Sequence, residues 1–199
     1  MKKITILFVV ALFAASAVSA QGVELGLKGG LNFANQKFEG SGFSISPDAR
    51  TGFHGGAFLT LFVTDNFALQ PEFLFSIQGS KFDFGGFGEI SNTFNYVNIP
   101  ILLRYNPVDI FNIHAGPQVG LLMSAVSEFD GSKEDIEGVK SSDIGFAFGA
   151  GVDLPLGLVG GVRYVMGLSN ISEDSGDGES LKNNVFQIYV GYKLFSKKK

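Results

Sequence analysis

From Gly22 to the C-terminal lysines, apolar residues return at every second position, and that single feature constrains the chain most. Val23, Leu25, Leu27, Leu31 and Phe33 alternate with Glu24, Gly26, Lys28, Gly30 and Asn32. Phe111, Ile113, Ala115, Val119, Leu121 and Met123 alternate with Asn112, His114, Gly116, Gln118 and Gly120. A period of two is the pleat of a β-strand with one apolar face. Eight such stretches are expected, over about 22–33, 51–63, 67–80, 92–105, 110–126, 143–154, 158–169 and 184–195. The stretch Ile110–Ser127 lacks charge and is long enough for a membrane helix. It carries Gly116, Pro117 and Gly120 at its centre, however, and its polar residues Asn112, His114 and Gln118 fall on one side only of a strand. The strand reading wins.

The connections alternate in length. Thr64–Asn66, Asn106–Asp109 and Pro155–Gly157 are short and rich in turn formers, whereas Ala34–Arg50, Lys81–Ser91, Ser127–Ser142 and Asn170–Asn183 are long and polar. An even number of strands joined by short turns at one end and long loops at the other is the layout of a bacterial outer-membrane barrel. Closure is obligatory there, because an open sheet edge would leave unpaired backbone groups in lipid. The fold class expected is therefore all-β, an eight-stranded antiparallel up-and-down transmembrane β-barrel. Ahead of it, Met1-Lys2-Lys3, the apolar run Ile4–Ala15 and the small residues Val18-Ser19-Ala20 have the form of a secretory signal cleaved before Gln21. The domains are then a signal peptide over 1–20 and a barrel over 21–199. Without Lys2 and Lys3 the chain keeps 13 basic and 19 acidic residues. That acidity gives nucleic acid no basic footprint. The absence of cysteine removes disulfide scaffolds and thiol chemistry.

Alternation alone does not say which face meets lipid. A soluble lipocalin-like barrel has the same strand count with its apolar face inward around a ligand. Here the apolar face is bulky, with Phe53, Phe73, Phe75, Phe146, Phe148, Tyr164, Phe186 and Tyr192. The alternate face mixes glycine with Glu24, Lys28, Glu72, Arg104, Asp153, Arg163 and Lys193. Eight strands enclose a bore that side chains just fill. Glycines and paired charges suit that bore and a shell of phenylalanine does not. The seven charged residues are thus expected to form a salt-bridged lumen network. Glu24, Arg104, Asp153 and Lys193 would lie near the periplasmic end, with Lys28, Glu72 and Arg163 nearer the middle.

The strand texts also carry a likeness. Tyr96-Val97-Asn98-Ile99-Pro100-Ile101-Leu102-Leu103-Arg104-Tyr105 resembles the Ile-Pro strand of the PorT-like, or porin-like, outer-membrane β-barrel family. His114-Ala115-Gly116-Pro117-Gln118-Val119-Gly120 resembles its next strand. Gly161-Val162-Arg163-Tyr164 with Gly167-Leu168-Ser169-Asn170-Ile171 resembles its seventh. Gly26–Gly30 and Tyr189–Tyr192 fit its first and last. The family often has Glu before Ile-Pro, where this chain has Asn98. The resemblance implies an eight-stranded barrel in the outer membrane of a Gram-negative bacterium and no shared reaction.

Catalytic and ligand motifs are sparse. His54 is expected near the outer end of the second strand and His114 near the inner end of the fifth, apart from each other and hydrogen-bonded within the lumen. No catalytic residue, cofactor or metal ligand is assigned, and no enzyme activity is expected. Glu128, Asp130, Glu134, Asp135 and Glu137 crowd the third long loop, and Glu173, Asp174, Asp177 and Glu179 the fourth. Their spacing does not match a calcium loop, and solvated charge is the expectation. Phe82, Phe84 and Phe87 would form a sticky loop tip or an aromatic girdle. The expected partners are membrane lipid, lipopolysaccharide and an envelope protein met through the external loops. The expected role is that of a structural or interaction protein, with a narrow pore for ions or small solutes, a membrane-embedded enzyme and the soluble ligand-binding barrel as alternatives.

Overall fold

The computed structural model describes residues 21–40, 43–45, 48–83, 89–173 and 179–198. The signal peptide expected over 1–20, and Phe84, Phe87, Asp174 and Asp177 of the loops, lie outside the described residues. Among the described residues, ten strands form: β1 (Gly22–Gly40), β2 (Phe43–Ile45), β3 (Asp48–Phe62), β4 (Phe67–Asp83), β5 (Glu89–Val108), β6 (Phe111–Phe129), β7 (Ser132–Asp135), β8 (Ser142–Asp153), β9 (Leu158–Gly167) and β10 (Ser180–Lys198). The eight long ones pair antiparallel in the order β1-β3-β4-β5-β6-β8-β9-β10, and β10 returns to β1. Closure runs from Gly22 opposite Lys198 to Glu39 opposite Ser180. The ring has no edge within the wall, so its backbone donors and acceptors are satisfied without water.

The strands run further than hydropathy alone indicates. Much of what reads as long loop is strand continued past the apolar band. Asn35, Gln36 and Lys37 pair with Asn184, Asn183 and Lys182, and Ser91 and Asn92 pair with Glu128 and Ser127. Beyond the apolar band the outer face turns polar while inward residues such as Gln36 and Asn183 stay buried, so the apolar alternation fades while backbone pairing continues. Two short strands, β2 and β7, extend this upper sheet against β1 and β6. β6 turns into β7 through Asp130 and Gly131, both at positive φ (48° and 78°). That is the backbone a tight two-residue hairpin requires, and Asp-Gly supplies it. At the opposite end the connections are short, including Pro155–Gly157 with Leu156 and Gly157 at positive φ. Pro71 and Pro100 sit beside gaps in the β4–β5 and β5–β6 ladders, where a missing N–H is tolerated.

The two faces separate cleanly by parity. Phe53, Phe73, Leu103, Phe148, Ile188 and Tyr192 stand exposed on the outer wall. Glu24, Lys28, His54, Glu72, Arg104, His114 and Arg163 are each less than 6 % exposed on the inner one. A water-soluble barrel would invert this arrangement, so the lipocalin-like alternative falls. Aromatic pairs bridge neighbouring strands on the outer face, Phe67 stacked on Tyr105 at 4.8 Å and Phe148 beside Tyr164 at 5.6 Å. The interior is not purely polar. Ala34, Leu102, Ala147, Val165 and Val185 form one buried apolar cluster, and Phe94, Tyr96 and Ala125 form a second with Leu122, Ile136 and Val139. Phe58, Phe62 and Leu74 also point inward and are buried. The expected lumen of glycine, charged and polar residues therefore also holds apolar side chains. Inward glycines leave room opposite them, and aromatic or aliphatic side chains fill it.

Candidate functional site

The lumen is built in layers, because each strand contributes one inward side chain every second residue. At its middle lie Lys28 from β1, Glu72 from β4 and Arg163 from β9. Arg163 donates from Nη1 to Glu72 Oε2 at 2.7 Å and from Nη2 to Glu72 Oε1 at 2.9 Å. Lys28 Nζ lies 2.6 Å from Glu72 Oε2. The side chains of Glu72 and Arg163 are 0 % exposed and that of Lys28 is 2 %. Two-point guanidinium–carboxylate pairing fixes orientation as well as charge. Tyr189 closes the layer, with Lys28 Nζ 4.4 Å from its ring centroid and Arg163 Cζ 5.6 Å from it. The layer contains two cations and one anion.

Toward the end bearing the short turns lie Glu24, Arg104, Asp153 and Lys193. Lys193 Nζ bridges Glu24 Oε1 at 2.9 Å and Asp153 Oδ1 at 2.7 Å. Arg104 Nη2 donates to Asp153 Oδ2, its Nε to Asn106 Oδ1 at 3.0 Å and its Nη1 to Gln70 Oε1 at 3.1 Å. Gln70 in turn donates to Glu72 Oε1 at 2.7 Å, which ties this layer to the middle one. All seven charged residues singled out from the sequence face the lumen in one connected network.

The two histidines enter at different places. His114 Nε2 accepts from Arg163 Nε at 3.3 Å, which leaves Nδ1 as the N–H that donates to Asn112 Oδ1 at 3.1 Å. His54 Nδ1 lies 2.8 Å from Asn32 Oδ1, and Asn32 donates to Ser76 Oγ and to the Ile77 carbonyl. Gln187 Nε2 donates to the same Asn32 oxygen at 3.0 Å. Above this, Asn183 donates to Asp143 Oδ2 at 3.0 Å, and Ser169 donates to Asp143 Oδ1 at 2.7 Å. Asn32, Gln70, Asn112, Gln187 and Tyr189 link the layers; the sequence places Asn32, Gln70 and Asn112 on the polar face, but their part in joining the charged layers escaped the reading. Their signal was available, since each sits at the same parity as a charged residue on its strand or facing strand.

Little space remains. The gap between Lys28, Phe58, Gln70, Arg104 and Tyr189 is a cavity of about 10 Å³, no more than one water requires. Among the described residues no group of three or more His, Asp or Glu is placed to hold a metal ion. In the third loop Glu128 pairs with Lys133 at 3.6 Å, both well exposed.

A closed eight-stranded wall, apolar outside and ion-paired inside, has counterparts among known proteins. The model of the outer-membrane protein β-barrel domain family matches residues 16–173. The chain belongs to that family. Among solved structures, the attachment invasion locus protein Ail of Yersinia pestis superposes with a TM-score of 0.50 at 16 % identity, over 86 % of this chain and 98 % of that one. Neisserial surface protein A gives a TM-score of 0.51 at 10 % identity, over 84 % and 97 %. At such identities the likeness is one of fold. No curated protein matches the sequence closely enough to count as a relative. The protein is an outer-membrane β-barrel of a Gram-negative envelope, in contact with membrane lipid and lipopolysaccharide through its outer wall. Its short turns then face the periplasm and its extended upper sheet faces outward.

Proposed function

We propose that this barrel is a structural or interaction protein, neither an enzyme nor a solute channel, and that it meets an envelope partner through the hairpins raised above the membrane. The observation that carries the reading is the occluded middle of the lumen, where Glu72 and Arg163 are wholly buried against each other. A conducting path needs bore, and here the bore is spent on side chains. The extended sheet of β5, β6 and β7 supports the second half of the reading, because it presents paired backbone and exposed charge beyond the apolar band. Within the broad family, the strand texts around Ile99-Pro100 and Ala115-Gly116-Pro117 support a place among the PorT-like barrels. The test pairs two measurements on one preparation. Purified barrel in planar bilayers should give no discrete conductance steps, and replacing Asp130–Glu137 with a two-residue turn should abolish capture of an envelope protein while the barrel stays folded. Steady single-channel steps from the intact barrel would refute the plug, and unchanged capture by the trimmed barrel would refute the role of the hairpin.

A further inference from the structure

Leu156 is 87 % exposed, more than any other large apolar side chain among the described residues. It stands at the centre of the β8–β9 turn with φ 66° and ψ 13°, in the left-handed region. A Cβ crowds its own backbone there, and Gly, Asn or Asp takes such a position at less cost. The turn therefore keeps a leucine where backbone strain and exposure to water would both count against it. The other two short turns follow the ordinary rule, with Asp65 and Asn66 in one and Asn106 and Asp109 in the other. Leu154-Pro155-Leu156-Gly157-Leu158 has no polar side chain at all. The turn also lies against the wall, since a Cβ at Gly157 would stand 3.2 Å from the Lys193 carbonyl oxygen and 3.5 Å from the ring of the outward Tyr192. Leu154 continues the outward row of Ile144, Phe146, Phe148, Ala150 and Val152. From Ile144 to Leu154 that row climbs about 25 Å, at ~3.3 Å per residue and a tilt of ~40°, which is the height of the apolar band of an outer-membrane barrel. Leu154 and Leu158 thus mark the lower margin of the hydrocarbon, and Leu156 lies within a side chain's reach of it.

We propose that the β8–β9 turn is a lipid-seated foot, with Leu156 buried among the phospholipids of the inner leaflet at the boundary between headgroups and chains. The turns at Asp65 and Asp109 stand in the periplasm. Phospholipid is the occupant because the turn continues without a break from a wall that already faces lipid. The turn also offers a protein partner no charge and no hydrogen-bonding side chain to recognise. Its backbone suits the place, since Pro155 has no N–H to strand and the Leu154 N–H donates to the Leu158 carbonyl at 2.8 Å. Seating in lipid removes the exposure of Leu156 to water, and that gain offsets its left-handed backbone.

The experiment uses the full barrel in phospholipid nanodiscs, which leave both membrane faces open to reagents. The chain has neither Cys nor Trp, so single substitutions report cleanly. Leu156→Cys and Asp65→Cys are treated with a water-soluble maleimide, each rate divided by that of the same variant unfolded in urea. Leu156→Cys should react at least about tenfold more slowly than Asp65→Cys, because apolar surroundings disfavour the thiolate that reacts. Leu156→Trp and Asp65→Trp then separate lipid from protein cover. Emission from Leu156→Trp should be quenched by phospholipids brominated near the headgroup end of their chains and spared by iodide, with the reverse for Asp65→Trp. If Leu156→Trp gives no heat-shifted band on a gel, the maleimide rates decide. Equal rates for the two cysteine variants would overturn the proposal, as would iodide quenching of Leu156→Trp as strong as that of Asp65→Trp. Slow labelling without quenching by the brominated chains would overturn it too, since the turn would then be covered by protein.

Discussion

Glu72 is the residue whose charge the barrel should be least able to lose. Its carboxylate accepts two bonds from Arg163 and one from Gln70 and lies 2.6 Å from Lys28 Nζ, all out of contact with solvent. In Glu72→Gln the middle layer passes from a formal charge of +1 to +2, and two buried cations lose their only neighbouring carboxylate. Removing one partner of a buried ion pair costs about 3–5 kcal/mol, and serving two cations puts Glu72 at the upper end. At about 1.4 kcal/mol per decade, the folding equilibrium should fall by roughly two to four orders of magnitude. Lys28→Met should behave in the opposite way. It removes the surplus cation and leaves the two-point Arg163–Glu72 pair whole, so stability should stay within about 1.5 kcal/mol of the parent or rise. The double variant Glu72→Gln/Lys28→Met returns the layer to +1 and should regain part of the loss, the non-additivity expected of groups in one network. Urea titration of barrels reconstituted in lipid vesicles, read by heat-dependent gel mobility, measures all three. A Glu72→Gln barrel within 1 kcal/mol of the parent would refute the reasoning. So would a Lys28→Met barrel as damaged as Glu72→Gln.

Two further outcomes test the wall rather than the plug. Phe148 is 45 % exposed on the lipid face, and Phe148→Arg there should cost about 2–4 kcal/mol in the same urea titration. Gly116 faces inward with the Ile101 carbonyl where a Cβ would stand, whereas a Cβ at the outward Gly29 meets its nearest atom, the His54 carbonyl oxygen, at 3.4 Å. Gly116→Ala should therefore lower the urea midpoint by the equivalent of about 1–3 kcal/mol or more, and Gly29→Ala should leave it nearly unchanged.

The fold was legible because lipid and lumen impose opposite demands on neighbouring residues. Leu27 beside Lys28, or Phe73 beside Glu72, reads as two faces of one strand. Parity then assigned the inward charges without any view of the structure. It failed in two ways, both physical. Beyond Phe33 and Phe186 the chain leaves the apolar band, so Asn35 opposite Asn184 and Lys37 opposite Lys182 give no hydropathy signal although their backbones still pair. The second failure concerns packing. Sequence parity marks Phe58, Leu74 and Leu102 as inward, but an argument from charge alone had no place for them. Their neighbours explain them: Gly56 lies across the ladder from Leu74, and Gly26 from Phe58. Large side chains fill the space that inward glycines leave, and the Asn and Gln residues that join the layers fill what the charges cannot reach.

The same accounting supports the proposed plug over a pore. Any solute crossing this barrel must pass Arg163, whose guanidinium is held by two bonds to Glu72 and one to His114 beside the ring of Tyr189. Swinging it aside would break all three at once and strand Glu72 with Lys28 alone, in a medium where an unpaired charge is costly. The inner layer offers no easier route, since Arg104 and Lys193 both grip Asp153. The network therefore resists opening for the same reason that it stabilises the closed wall: Glu72, Arg163, Asp153 and Arg104 each have more than one partner. On the proposed reading, what the barrel does for the cell resides beyond the occluded lumen, in the hairpins above the membrane.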